Sequence, residues 1–122
     1  MELKKRLPES EAEIMLTVWE LGGSVTADEI LSHMQKDWGK TTLLNLLTRL
    51  VNREFLSCRK EGRLNVYTPL VEKEEYLRWE SASFLRRFHA GSLTTLVASL
   101  YSGNSVTRED LEQLRKFIDE AK

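Results

Sequence analysis

The chain has 122 residues, enough for one small domain and an oligomerising extension. Hydrophobic residues make up 41% and charged residues 30%, with two prolines and six glycines, which is typical of a globular rather than a disordered chain. No apolar run approaches the roughly 20 residues that cross a bilayer, and the amino terminus lacks the apolar segment of a signal peptide. A cytoplasmic location is therefore expected.

Few residues are available for metal binding or catalysis. Cys58 is the single cysteine, so no intramolecular disulfide can form. His33 and His89 lie far apart in sequence, and with one cysteine they do not make a standard structural zinc site. The sequence also lacks a Gly-rich phosphate loop, a zinc-protease helix and a nucleophile elbow. We therefore predict a protein that is not an enzyme, with no metal and no cofactor.

Capping boxes mark the starts of the first two predicted helices. Ser10 and Glu13 form the first, and apolar residues follow it at helical spacing. Thr26 and Glu29 repeat the pattern after a short connection. Because Gly22-Gly23 ends the first helix, two short helices are expected in close succession.

A third helix and a β-hairpin follow. The helix is predicted from about Lys40 to Arg53, with leucines at helical spacing as its core face. Strands are predicted at 55–59 and 64–68, around a turn at 60–63 that contains a glycine. Three helices followed by a hairpin indicate a winged helix-turn-helix, a mainly α fold with a small β-hairpin wing.

The outer face of the third helix carries residue types that read bases. With Leu43 toward the core, about 100° per residue places Thr41, Asn45 and Thr48 on the opposite side, with Leu44 beside them. Asn bonds adenine in two places, Thr bonds a base edge or contacts a thymine methyl, and Leu packs on a methyl. We predict these four as DNA-base contacts. An ordinary solvated helix face is the alternative.

Positive charge is concentrated in the same part of the chain. Residues 36–63 hold seven basic and three acidic residues, whereas residues 9–35 hold acids and no lysine or arginine. Basic side chains on the third helix and the wing are suited to phosphates, which fix position without reading sequence. The alternative for the wing is a solubilising hairpin tip. The predicted DNA-phosphate contacts are Lys40, Arg49, Arg53, Arg59, Lys60 and Arg63.

The rest of the chain predicts three amphipathic helices. The first runs from Glu72 to about Ala90, the second follows Gly91, and Thr107 with Asp110 caps the last. Basic and acidic residues nearly cancel there, so the segment is not a basic DNA-binding tail. Apolar stripes without a second core favour burial against a partner. The predicted dimerisation residues are Leu77, Phe84, Leu85, Phe88, Leu96, Val97, Leu100, Leu114, Phe117 and Ile118.

We therefore predict two domains. Residues 1–71 form a winged-helix DNA-binding domain, and residues 72–122 form a C-terminal helical dimerisation domain. A two-fold homodimer places two recognition helices in successive major grooves of double-stranded DNA, on a palindromic operator. The alternative for the second domain is an intramolecular helical cap. Two other functions stay open, a winged-helix protein-interaction module and a regulator with a small-molecule pocket between the two halves.

Several segments, by their order and spacing, point to one family. They are 10–15 (SEAEIM), 27–30 (ADEI), 35–38 (QKDW), 41–43 (TTL), 46–50 (LLTRL), 67–71 (YTPLV) and 112–115 (EQLR). Together they resemble the penicillinase and methicillin-resistance repressors of the BlaI/MecI type over nearly the whole chain. The resemblance implies a dimeric repressor that keeps an antibiotic-resistance or related operon silent.

The resemblance also implies a route of induction. In that family a membrane sensor-protease that detects a β-lactam leads to cleavage of the repressor within its dimerisation region. The corresponding position falls near Ser99 and Leu100, where the best-known members have Asn-Phe. Leu44 stands where members that control β-lactamase often have a basic residue, so the resemblance does not give the operator sequence of this chain.

Overall fold

The computed structural model describes residues 6–121. Its helices are α1 (Glu9–Leu21), α2 (Ala27–His33), α3 (Lys40–Asn52), α4 (Lys73–His89), α5 (Leu93–Ser102) and α6 (Arg108–Glu120). Its strands are β1 (Val25–Thr26), β2 (Leu56–Glu61) and β3 (Leu64–Pro69). The predicted order of elements, mainly helical with a small β wing, is confirmed. None of the helices in these residues is both long and apolar enough to span a membrane.

The second capping box is confirmed, and the first is wrong. The Thr26 hydroxyl accepts the Glu29 N–H at 3.2 Å, and the Glu29 carboxylate accepts the Thr26 N–H at 2.8 Å. Helix α1 instead begins at Glu9, directly after Pro8, and no side chain caps it. Pro8 occupies the N-cap position, so Ser10 lies inside the first turn, where its hydroxyl does not cap the helix.

The wing belongs to a three-stranded antiparallel sheet in the order β1-β3-β2. Strand β2 extends to Glu61, which pairs with Leu64, so the predicted turn at 60–63 is shorter than expected. Gly62 has φ of +66°, which glycine adopts without steric cost. Strand β1 was not predicted, because a strand of two residues shows no period-two pattern.

One hydrophobic core joins the first three helices to the sheet. Its buried members come from each of these elements. Helix α3 contributes three leucines of its predicted core face, and the fourth, Leu46, is half-buried against the same core. The side chains with the lowest exposure are Ile14, Met15, Val18, Ile30, Leu43, Leu47, Leu50, Leu56 and Val71.

The beginning of α4 packs into this core through an aromatic cluster. Tyr76 is buried, with ring centroids 5.7 Å from Phe55, 6.0 Å from Trp19 and 6.1 Å from Trp79. Its hydroxyl accepts the backbone N–H of Leu7 at 2.9 Å. The first compact unit accordingly ends at Trp79, and a second unit begins at Glu80.

The second unit differs in its burial. In the described residues of α5 and α6 no side chain is buried. The helices are nevertheless well formed, since Thr107 and Asp110 make the predicted cap of α6 as a full capping box. The apolar side chains of α5 and α6 are therefore exposed or half-buried in the single chain.

Candidate nucleic-acid interface

Helix α3 is held by one face and exposes the other. Leu43 and Leu47 have no exposed surface. Thr41, Asn45 and Thr48 are exposed on the far side of the same helix. A helix fixed through its leucines thus presents a row of short polar side chains, the shape and chemistry that a major groove admits.

Thr48 has part of its hydrogen-bonding capacity already in use. Its hydroxyl donates to the backbone carbonyl of Leu44 at 2.9 Å. The hydroxyl oxygen can still accept, and the methyl group is free. Thr48 is therefore suited to an adenine or cytosine amino group, or to a thymine methyl, and not to a base acceptor.

A cleft separates the start of α3 from the wing. It has a volume of about 200 Å³. It brings together Lys40 and Leu44 of α3 with Arg63 of the wing, three of the residues predicted to contact DNA. Its lining residues are Thr26, Ala27, Asp28, Lys40, Leu44, Arg63, Leu64 and Asn65.

Two exposed cations of this surface are held by neighbouring carboxylates. Lys40 Nζ lies 3.0 Å from Asp28 Oδ1. Arg59 donates to Glu61 Oε2 through Nε at 3.0 Å and Nη2 at 2.6 Å. Because all four side chains are more than half exposed, water and salt screen both pairs. A phosphate can therefore displace either carboxylate at small cost.

Arg53 is paired differently. Its Nη1 lies 3.1 Å from Oε1 of Glu11, whose side chain is 1% exposed. The contact has the distance of an ion pair without the alignment of a hydrogen bond. Arg53 is itself exposed, but its carboxylate partner on α1 is buried, whereas the carboxylates beside Lys40 and Arg59 are exposed.

Three cations of the surface are available for phosphates. Within residues 6–121, Arg49, Lys60 and Arg63 have no carboxylate at ion-pair distance, and all three are exposed. Arg49 lies on α3, and the other two lie at the wing tip. The free positive charge is therefore divided between the helix and the wing.

Two wing residues in the cleft were missed by sequence reasoning. Leu64 is 54% exposed and Asn65 is exposed beside it. Strand β3 is the central strand of the sheet and buries Val66 and Tyr67 in succession, which leaves Leu64 and Asn65 exposed before them. The available signal was a leucine placed directly after the glycine turn, where an apolar side chain has no core to enter.

The remaining polar candidates do not form a site. Cys58 is exposed on β2, and His33 is paired with Glu20 at 3.0 Å on the surface. In the part of the chain that the structure describes, no three His, Cys, Asp or Glu side chains come together as metal ligands. Burial, followed by the neighbouring Cys58, raises the pKa of Tyr67 above 10.0, so its ring stays neutral.

The residues predicted for dimerisation lie on α4, α5 and α6. Five of them are exposed, from 39% at Phe84 to 68% at Phe117. The rest are half-buried, namely Leu85, Leu96, Val97, Leu100 and Leu114. Ser99 and Leu100, the predicted cleavage position, lie inside helix α5.

Comparisons with known proteins identify relatives of this chain. The sequence profile of the penicillinase repressor family matches residues 7–120. The penicillinase repressor of Bacillus licheniformis is 30% identical, over 97% of this chain and 95% of its own length. The methicillin resistance regulatory protein MecI of Staphylococcus aureus (strain N315) is 27% identical, over 90% of each chain.

Two solved structures are similar to the winged-helix part. The DNA-binding domain of the repressor BlaI matches with a TM-score of 0.54 and 28% identity, over 62% of this chain and 94% of that domain. Monomeric BlaI of Bacillus licheniformis, in complex with the blaP half-operator, matches with a TM-score of 0.52 and 27% identity, with the same coverage. These relatives are repressors, which confirms the prediction of a protein that is not an enzyme. The chain belongs to the penicillinase repressor family of DNA-binding transcriptional regulators.

Proposed function

We propose that this repressor binds a two-fold symmetric operator as a homodimer, with α3 in the major groove and the wing on the backbone. The observation that carries the proposal is the exposed polar face of α3, which lies in one compact unit with the cations of the wing. A relative with this fold is known in complex with a half-operator. The base contacts would be Thr41, Leu44, Asn45 and Thr48.

The phosphate contacts are proposed on electrostatic grounds. Arg49, Lys60 and Arg63 carry unpaired charge toward solvent, and counterion release makes such cations favourable partners for DNA phosphates. Lys40 and Arg59 join them after leaving their exposed carboxylates. The net charge of −1 is no obstacle, because the positive charge is local.

Homodimerisation is supported by the apolar surface of the second unit. Phe88 on α4 and the neighbouring Phe117 and Ile118 on α6 are each more than half exposed, and exposed apolar side chains of this size favour burial against a partner. A second copy is the favoured partner, because the charges of this segment nearly cancel and a two-fold interface buries the same patch twice. The dimer would double the DNA contacts on a palindromic site.

Release from the operator is proposed to follow cleavage near Ser99 and Leu100. A sensor-protease that cuts there would divide α5 and separate Leu114, Phe117 and Ile118 from the rest of the proposed dimer surface. Proteases act on extended chains, so α5 must unfold locally before it is cut. Cleavage is therefore expected to be slow in the dimer and faster in the free subunit.

The test is selection of bound sequences from a random DNA pool at near-physiological salt. We expect enrichment of a motif with two-fold symmetry, whose half-sites are one helical turn or a multiple of it apart. A single half-site motif would contradict the dimer but would still support α3 as the recognition helix. Recovery of no motif, with binding that only fades as salt rises, would contradict sequence-specific repression and favour a protein-interaction module.

A further inference from the structure

We infer that Arg53 is a positioning residue, which holds α3 in its reading orientation through the buried carboxylate of Glu11, and is not a phosphate contact. The inference rests on the proposed function, because it concerns how α3 meets the operator. The positive charge of Arg53 alone had suggested a contact with a DNA phosphate, and the positioning role replaces that prediction.

The first observation is the burial of the carboxylate. Glu11 lies in the first turn of α1 and exposes 1% of its side chain. A buried carboxylate is strongly destabilising unless a cation or donors compensate it. Arg53 supplies a cation at 3.1 Å from Glu11 Oε1, so the two side chains depend on one another.

The second observation is the place of Arg53 in the chain. It caps the carboxyl end of α3, where its backbone N–H bonds the carbonyl of Arg49 at 3.0 Å. The ion pair therefore ties the last turn of α3 to the first turn of α1. Asn45 and Thr48 lie on the same rigid helix, so a rotation at its end would move both of them in the groove.

The third observation is the contrast with the other paired cations. In the Lys40–Asp28 pair both side chains are more than half exposed, so Asp28 is hydrated once Lys40 turns to a phosphate. Glu11 has no such access to water. An Arg53 that turned to a phosphate would leave a buried, uncompensated charge, and we therefore expect it to stay on Glu11 in the complex.

The experiment compares Arg53→Gln with Arg49→Gln, a matched variant on the same helix. Affinity of the full chain is measured against salt concentration, for the selected operator and for a scrambled duplex. Arg49→Gln should reduce the slope of log affinity against log salt by about 0.9 for each phosphate that the variant no longer neutralises. Arg53→Gln should leave the slope unchanged and lower the operator-to-scrambled affinity ratio by about fivefold or more, the effect of one misread base pair.

Two further variants separate positioning from folding. Arg53→Lys keeps a cation beside Glu11 and should restore most of the ratio. If Arg53→Gln does not fold, the double variant Glu11→Gln/Arg53→Gln removes both charges of the buried pair and should fold with a reduced ratio. Circular dichroism and a melting curve establish that each variant is folded before binding is measured.

The outcomes are distinct. A fall in the salt slope for Arg53→Gln, equal to that of Arg49→Gln, would make Arg53 a phosphate contact and overturn the inference. An unchanged ratio in folded Arg53→Gln would reduce the pair to a structural role and would also overturn it. If the unmodified protein shows no preference for any sequence, the proposed function itself is wrong, whatever the variants do.

Discussion

The two compact units are built from similar amphipathic helices, yet only one of them buries its apolar face. In the unit that ends at Trp79, three leucines of α3 pack against α1, α2 and the sheet and have no exposed surface. In the unit that begins at Glu80, the described side chains of α5 and α6 all keep some exposure. Amphipathicity thus predicts that a face will be buried, but not whether the same chain will cover it.

The largest expected effect tests the core of the first unit. Leu47→Ala should lower the free energy of unfolding by about 2–5 kcal/mol, because it leaves a cavity among fully buried side chains. Urea unfolding followed by tryptophan fluorescence measures this unit alone, since Trp19, Trp38 and Trp79 all lie in it. Leu16→Ala, at a position 45% exposed, is the matched control and should change little. Equal destabilisation by the two variants would contradict the assigned core.

The next effect tests the apolar surface of the second unit. Phe117→Glu should raise the dimer dissociation constant by about 100-fold or more. In a two-fold dimer the substitution removes one buried phenylalanine from each subunit, so the interface loses two apolar side chains. Sedimentation velocity measures the change, and the tryptophan unfolding curve of the first unit should not move. Lys116→Ala, at the neighbouring exposed position, is the control. A Phe117→Glu protein that stays dimeric would exclude α6 from the interface.

A smaller effect tests base reading by the first unit. Asn45→Ala should weaken operator binding by about 1–3 kcal/mol in each half-site, because alanine cannot make the two hydrogen bonds that asparagine makes to a base. Binding to a scrambled duplex and the dimer dissociation constant should both stay unchanged. An equal fall in affinity for scrambled DNA would show that Asn45 does not read bases.

The smallest effect concerns alkaline pH and the sheet. Burial, followed by Cys58, raises the pKa of Tyr67 in the folded chain above its ordinary value of 10.0. The unfolded chain therefore loses this proton first, so the contribution of Tyr67 to stability is constant below about pH 10 and falls as the pH rises toward the folded pKa. Urea unfolding between pH 8 and pH 11 should show this fall. Tyr67→Phe should flatten it relative to the unmodified protein, and an identical fall in both would assign it to other groups.

Local signals were sufficient for most of the helices. Thr26 with Glu29 and Thr107 with Asp110 form the predicted caps, because a capping box depends on residues three positions apart. The Ser10 and Glu13 pattern was wrong, because α1 begins at Glu9 and Pro8, not Ser10, occupies the N-cap position. The strand Val25–Thr26 was missed because its partner lies far away in sequence.

The candidate site shows the same division. The exposed face of α3 followed from helical periodicity, which needs no tertiary information. The partners of its cations did not, since Asp28 and Glu11 come from other helices. Charge alone therefore placed Arg53 among the phosphate contacts, and only the buried carboxylate of Glu11 distinguishes it.

Spacing along the chain was sufficient to predict the order of the six helices and the two wing strands, the core face of α3 and the concentration of positive charge. Tertiary contacts were needed to show that Tyr76 joins the first core, that β1 completes the sheet and that Arg53 meets a buried carboxylate. The reason is physical. Burial and ion pairing depend on distances between residues remote in sequence, and these distances are set when the helices pack.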